Sequence, residues 1–203
     1  MTEPQPGRRK RGRPAIPKDV QRSRLIEAAI RAFEARSYDE VKVADIVSEA
    51  GMSSRSFYEH FDSKEDVVAS FVHQAGQEFL DDLRTLFEQV EHPVERIDQG
   101  LRLFLDLFSR VPVDVEALGG RAGQRVREAR RDYVREITEV VLAELQLWHE
   151  SGHTAKPADA VYVELVLTGI EGMAFRYYSE GRGEELDQLH PTIMELLLKA
   201  FLA

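Results

Sequence analysis

Apolar positions in this chain recur at spacings of three and four residues, and no stretch alternates as a strand would. Every element predicted from the pattern is therefore a helix. Ile26, Ala29, Ile30 and Phe33 form one stripe, which predicts a helix from Lys18 to near Ser37. Val43, Ile46, Val47 and Ala50 predict a second, short helix, and Gly51 stands where a positive φ would end it. Ser53 is a cap for a very short third helix, with Phe57 and Phe61 as its inward pair. Asp62-Ser63-Lys64-Glu65-Asp66 starts another, with Ser63 as N-cap and acids in the first turn. Helices this short are unstable singly and must share a core, which Phe33, Val43, Ile46, Phe57 and Phe61 can supply. Two short helices joined by a tight Gly turn are the grammar of a helix-turn-helix.

After Ser63 the reading remains helical. Val67, Phe71, Phe79, Leu83, Leu86 and Phe87 follow one long helix. Pro93 opens the next, with Ile97, Leu101, Phe104, Leu105 and Phe108 as its apolar face, and Pro112 breaks it. A charged helix is expected from about Gln124 to Trp148, stopping at Gly152. Another is expected from Pro157 to Tyr178, and a last one from Glu184 to the end. The predicted fold is all-α, with a basic arm over 1–17, a three-helix unit over 18–65 and a larger helical body over 66–203.

Charge changes the picture. The 203 residues carry a formal net charge of −9. Residues 1–24, however, hold eight Lys and Arg against Glu3 and Asp19 alone, whereas residues 66–203 hold 14 basic and 25 acidic groups. One end is suited to a polyanion and the body is not, although a solvated cationic tail has the same composition. There is no cysteine, which excludes disulfides, thiolate metal sites and cysteine nucleophiles. No apolar run reaches the roughly 20 residues of a membrane span, and no apolar segment follows the basic start as in a secretory signal, so a cytoplasmic location is expected. His149 and His153 have metal-pair spacing but are split by Gly152; no metal and no cofactor are expected. No P-loop, GxSxG or HExxH is present, so an all-α enzyme is disfavoured.

A helix read against the major groove must show small or hydrogen-bonding side chains to base edges, with cations and hydroxyls around it for phosphates. With Phe57 and Phe61 turned inward, Ser54, Arg55 and Tyr58 of the segment from Ser53 can point out. Arg55 is matched to the O6/N7 edge of guanine. Lys42, Tyr58, His60 and Lys64 are the phosphate candidates. The arm carries Arg8, Arg9, Lys10, Arg11 and Arg13. Its Arg11-Gly12-Arg13-Pro14 core resembles an AT-hook, whose arginines enter a narrow A·T minor groove. An architectural A·T-rich binder acting through this arm is the competing reading.

Residues 19–67 resemble the DNA-binding domain of the TetR/AcrR transcriptional regulators. The resemblance is carried by Ala28-Ala29, Phe33, Tyr38-Asp39, Val43, Asp45-Ile46 and Ala50-Gly51-Met52-Ser53, then by Phe57-Tyr58-Glu59-His60-Phe61 and Ser63-Lys64-Glu65. Ser37 stands where the family often has Gly, Lys42 where Ser or Thr usually caps, and Arg55 where a small residue is common. The resemblance implies a homodimeric, ligand-released repressor on a pseudo-palindromic operator, with Tyr58 and Lys64 on phosphates and Ser53 to Ser56 on bases. It also implies that the last two long helices pair with their twins. Val161, Leu165, Gly169 and Gly172 on one, and Leu189, Ile193, Leu196 and Leu197 on the other, are the expected interface. A pocket for an apolar or amphipathic small-molecule effector is expected among the middle helices, lined by Phe79, Leu83, Phe104, Phe108, Tyr133, Ile137, Trp148, Phe175 and Tyr178.

Overall fold

The computed structural model describes residues 16–109 and 120–202. In chain order its helices are α1 (Lys18–Ala35), α2 (Val43–Ala50), α3 (Ser54–Tyr58), α4 (Lys64–Gln89), α5 (Pro93–Ser109), α6 (Gly120–Glu150), α7 (Ala160–Ser179) and α8 (Leu186–Phe201). No strand occurs among the described residues.

The small N-terminal unit closes as its pattern requires. Leu25, Ile26, Ala29 and Phe33 of α1 pack with Ile46 and Val47 of α2 and with Phe57 and Phe61, all of them buried. α1 stops at Ala35, two residues before the expected Ser37: Arg36 is already extended while its N–H still donates to the Ala32 carbonyl. Lys42 cannot accept a capping bond, so Asp45 completes the α2 start instead, its carboxylate taking the Lys42 N–H at 2.8 Å. Gly51 adopts φ 64. The N–H of Met52 then reaches the Val47 carbonyl at 2.8 Å, the bond pattern that ends a helix and turns the chain sharply into α3.

The body differs from expectation at its helix starts. α6 begins at Gly120, ahead of Gln124. α7 begins at Ala160 and not at Pro157, because the Asp159 carboxylate accepts from the N–H groups of Val161 and Tyr162. A 3₁₀ turn over Gly183–Glu185 precedes α8, so the last α-helix starts at Leu186.

α4 joins the two parts. Its first turns place Val67 and Val68 in the same hydrophobic cluster as Phe57 and Phe61, while Phe79, Leu80 and Leu83 lie in the body. α4 and α6 approach closely at Gly76, where an added Cβ would lie 2.8 Å from the Cβ of Tyr133 on α6. Tyr133 in turn donates its phenol to Glu171 of α7, which Arg130 of α6 also grips through two donors at 2.7 and 2.8 Å. Glu171 is 1% exposed. Burial, and then the charge of Glu171, push the Tyr133 phenol far above its ordinary value, so it acts as a fixed donor. One layer of contacts therefore ties α4, α6 and α7 together.

Candidate nucleic-acid interface and effector cavity

α3 is presented by its own core. Phe57 has no exposed surface and Phe61 has 2%, which fixes the opposite face outward. Ser53 caps the helix by accepting from the Ser56 N–H at 3.1 Å, and its hydroxyl lies 3.0 Å from that of Ser56. These two hydroxyls are therefore engaged in building the helix start, while Ser54 stands exposed. The Arg55 side chain is 90% exposed and pairs with Glu59 at 3.2 Å. An ion pair this open is worth about 0–1 kcal/mol, so the guanidinium can be exchanged to another partner at little cost. Tyr58 is 59% exposed, its ring edge-on to Phe57.

The four phosphate candidates separate into two kinds. Lys42 and Tyr58 are exposed. Lys64 is half-buried: its ammonium donates to the carbonyls of Tyr38 at 2.7 Å and Val41 at 3.1 Å, and lies 4.1 Å from the centre of the Tyr38 ring. Two of its three donors thus fasten the loop between α1 and α2 to the first turn of α4. His60 is also half-buried, with Nε2 3.3 Å from Oε1 of Gln21 on α1. Sequence reading gave Gln21 no part and Tyr38 none beyond the family resemblance; the contacts join positions 39 and 26 apart, beyond any helical period. Arg8, Arg9, Lys10, Arg11 and Arg13 lie outside the described residues.

In the body, a partly open cavity of about 90 Å³ is lined by α4, α5, α6, α7 and α8. Of the expected lining, Phe79, Leu83, Phe104, Ile137 and Trp148 are there, joined by Phe87, Gly100, Leu167, Ile170, Leu197 and Phe201. Arg96 and Glu144 lie at its edge as an ion pair, and the Trp148 indole also donates to Glu144. Phe108, Tyr133 and Phe175 belong to a separate, smaller space of about 20 Å³ beside Arg130. Tyr178 lines neither of these two spaces; its ring packs against Gly183. The aromatic rings of Phe79, Phe104, Phe108 and Phe175 form a chain of tilted and edge-to-face contacts from one space to the other, with centroids 5.7, 5.2 and 4.9 Å apart.

The outer face of α7 is bare. Val161 is 75% exposed and Leu165 67%, and no atom lies within 4 Å of a Cβ built on Gly169 or Gly172. Leu196 of α8 is exposed beside half-buried Leu189. Ile193 and Leu197, expected on this face, are instead buried in the chain's own core, and Leu197 lines the cavity. The reason is the phase of α8: 193 and 197 share one inward side, whereas 196 is turned away. Among the described residues no His, Asp or Glu group of three or more could hold a metal ion, and no helix is long and apolar enough to cross a membrane.

Residues 25–71 match the family described as bacterial regulatory proteins, tetR family. The chain is 25% identical over 190 residues to the HTH-type transcriptional repressor DhaR of Mycobacterium sp. (strain GP1), covering 87% of this chain and 92% of that protein. It is 28% identical over 133 residues to the HTH-type transcriptional regulator YdgC of Bacillus subtilis (strain 168), covering 62% of this chain and only 66% of YdgC. In fold it is similar to the transcriptional regulator FadR from Bacillus subtilis, solved in complex with stearoyl-CoA. That likeness has a TM-score of 0.69 at 18% identity and covers 88% of this chain and 98% of the other.

Proposed function

Starting from the premise that this chain belongs to the TetR family of bacterial transcriptional regulators, we propose that it is a homodimeric repressor released from a pseudo-palindromic operator by an amphipathic effector. The observation that carries the DNA reading is α3 itself: a helix held outward by Phe57 and Phe61, with Ser54, Arg55 and Tyr58 on its open side. Arg55 reads a base edge, Tyr58 and Lys42 hold phosphates, and Lys64 supplies its remaining donor from a position fixed by two carbonyls. The bare face of α7, with Leu196, supports pairing with a second copy, because two glycines there allow close helix approach. Two copies set two recognition helices in successive major grooves. Domain limits of 18–65 and 66–203 accord with this division of work, and the arm over 1–17 adds minor-groove contacts in A·T-rich flanks.

The effector reading is supported by an apolar cavity whose wall includes Leu167 and Ile170 of α7 and Leu197 and Phe201 of α8. Its volume of about 90 Å³ is well below the roughly 300 Å³ of ordinary ligand pockets. An effector of ordinary size would widen this space at the expense of the contacts among these helices. Since α7 and α8 also carry the bare face, and α4 carries the DNA unit, filling the cavity favours a dimer with wrongly spaced α3 helices. Ligand lowers DNA affinity only by its preference for that state. The stearoyl-CoA bound to the B. subtilis FadR supports an effector with a long apolar chain.

Selection of bound sequences from a random duplex pool tests the DNA reading, which requires a pseudo-palindrome. Arg55→Ala is expected to relax preference at one position, with about 1–3 kcal/mol lost on the selected site alone. Lys42→Ala is expected to weaken all duplexes alike and flatten the salt slope by about one unit. Equal behaviour of the two variants would refute the assigned roles. For the effector, acyl thioesters of increasing chain length are screened for thermal stabilisation together with release of DNA; a series with no effect on either overturns that part.

A further inference from the structure

The body as a whole is acidic, yet one stretch of it is not. Between Gln124 and Arg135, on α6, five arginines stand against Glu128 and Asp132 alone. Four of them, Arg127, Arg130, Arg131 and Arg135, line an open groove between α6 and α7. Its volume is about 820 Å³, inside the range of roughly 300–1,000 Å³ in which small molecules are ordinarily bound, whereas the apolar cavity falls far below that range. The α7 wall of the groove holds Ala160, Glu164, Thr168 and Glu171, each one residue before Val161, Leu165, Gly169 and Gly172 of the bare face. One residue is a turn of about 100° on a helix, so the groove and the bare face are different sides of α7.

The groove has two unlike ends. α6 and α7 run antiparallel: Trp148 near the end of α6 packs with Val163 near the start of α7, while Arg130 reaches Glu171 further along α7. Glu139 and Glu164 therefore lie toward one end, with Leu142 and Ala160, and the arginines lie toward the other, with Thr168. Glu171 lines the basic end too, but its carboxylate is already held by Arg130 and Tyr133. Arg135 is paired with Asp132 at 3.1 Å. Arg131 is exposed, and its side chain has no ion pair or hydrogen bond among the described residues.

Arg127, Arg131 and Arg135 are four residues apart in turn, so they form a row along α6 with about 6 Å of rise from one to the next. Like charges at that spacing weaken a helix. A guanidinium offers its donors as a planar fork that fits two oxygens of one anion. Three forks spread over two turns cannot close on a single carboxylate. They can close on two neighbouring phosphates, which offer more acceptor oxygens and more than one negative charge. We propose that the basic end of the α6–α7 groove binds a small molecule carrying a diphosphate, with Arg127, Arg131 and Arg135 as the side chains that hold it. The recognition helix and the apolar cavity take no part in this site, so its failure leaves the regulator reading untouched.

The test titrates the full chain with inorganic diphosphate by calorimetry, in chloride buffer of about 0.15 M ionic strength, where distant surface charges are screened. Saturation at one diphosphate per chain is expected. Arg131→Ala removes an exposed side chain and strands no partner, and it is expected to weaken binding by about tenfold or more. Arg131→Lys keeps the charge without the fork and is expected to recover only part of that loss. Arg84→Ala removes the same charge on α4, away from the groove, and is expected to change the affinity by less than about twofold. Adenosine diphosphate is titrated in parallel: tighter binding than the inorganic anion assigns the site to an organic diphosphate, weaker binding to the free anion, and both support it. Absence of saturable binding overturns the site. Equal losses in Arg84→Ala and Arg131→Ala overturn it as well, because the anion then responds to net charge alone. Citrate bound as tightly as diphosphate overturns the phosphate class. If diphosphate does not bind while Arg131→Ala weakens a scrambled duplex, the arginine row belongs to the DNA surface and the small-molecule site is overturned.

Discussion

Asp45 illustrates how one side chain can do what another position was expected to do. Lys42 cannot cap α2, and Asp45 takes over by accepting the Lys42 N–H, with Arg36 at 3.3 Å. That backbone hydrogen bond, helped by the guanidinium, holds the Asp45 carboxyl below its ordinary value. A depressed folded-state pKa stabilises the protein fully above the unfolded value near 3.9, and the gain is lost as pH falls through the folded value. Asp45→Asn is therefore expected to lower the urea midpoint at neutral pH, with the gap from wild type closing below about pH 4. A gap that stays constant with pH would show that the carboxylate charge plays no part. At this scale the identity of each cap was legible for Ser53 and Ser63, because a cap and its partner lie three residues apart. The grip of Lys64 on the Tyr38 and Val41 carbonyls was not legible, since nothing in local spacing brings those positions together.

Between elements, the α4–α6 contact is set by a missing side chain. Gly76 lets the Tyr133 Cβ come so close that an alanine methyl would sit 2.8 Å from it. Gly76→Ala gains up to about 1 kcal/mol of helix propensity but must push α4 and α6 apart, which costs about 1–3 kcal/mol. A net lowering of the melting temperature is expected; a rise would mean that the helices yield freely. Tyr133 is hydrogen-bonded to Glu171, so the displacement also disturbs the link to α7. This contact thus joins α4 to both α6 and α7. Helix identity was readable along the chain from apolar periodicity, whereas helix starts were not: α7 is set by Asp159 and α8 follows a 3₁₀ turn, both local bonding details that periodicity does not encode.

For the molecule as a whole, two surfaces compete for the same two helices. The inner sides of α7 and α8 wall the apolar cavity, and the outer side of α7 is bare. Leu165, 67% exposed and flanked by Val161 and Gly169, marks the centre of that outer side. Leu165→Glu places two charges close together in the proposed dimer through this face and removes nothing from the core. It is expected to give a folded monomer by light scattering, with operator affinity reduced by about a hundredfold or more because two half-sites no longer act together. A folded variant that remains dimeric would move the interface elsewhere.

The residues alone determined an all-helical chain, the outward face of the short helix that Ser53 caps and the division between a basic end and an acidic body. Each of these depends on near neighbours: caps at three residues, stripes at three and four, and charge counted along the chain. Tertiary structure decided which apolar face went where. Ile193 and Leu197 have the same periodic signature as an interface helix, yet they face the chain's own core, and Leu196 between them faces out. It likewise separated the expected pocket residues into two spaces and set Tyr178 aside. Periodicity states only that a face must leave water. Which partner removes it from water depends on the phase and packing of several helices at once, and that is fixed only when all of them are assembled.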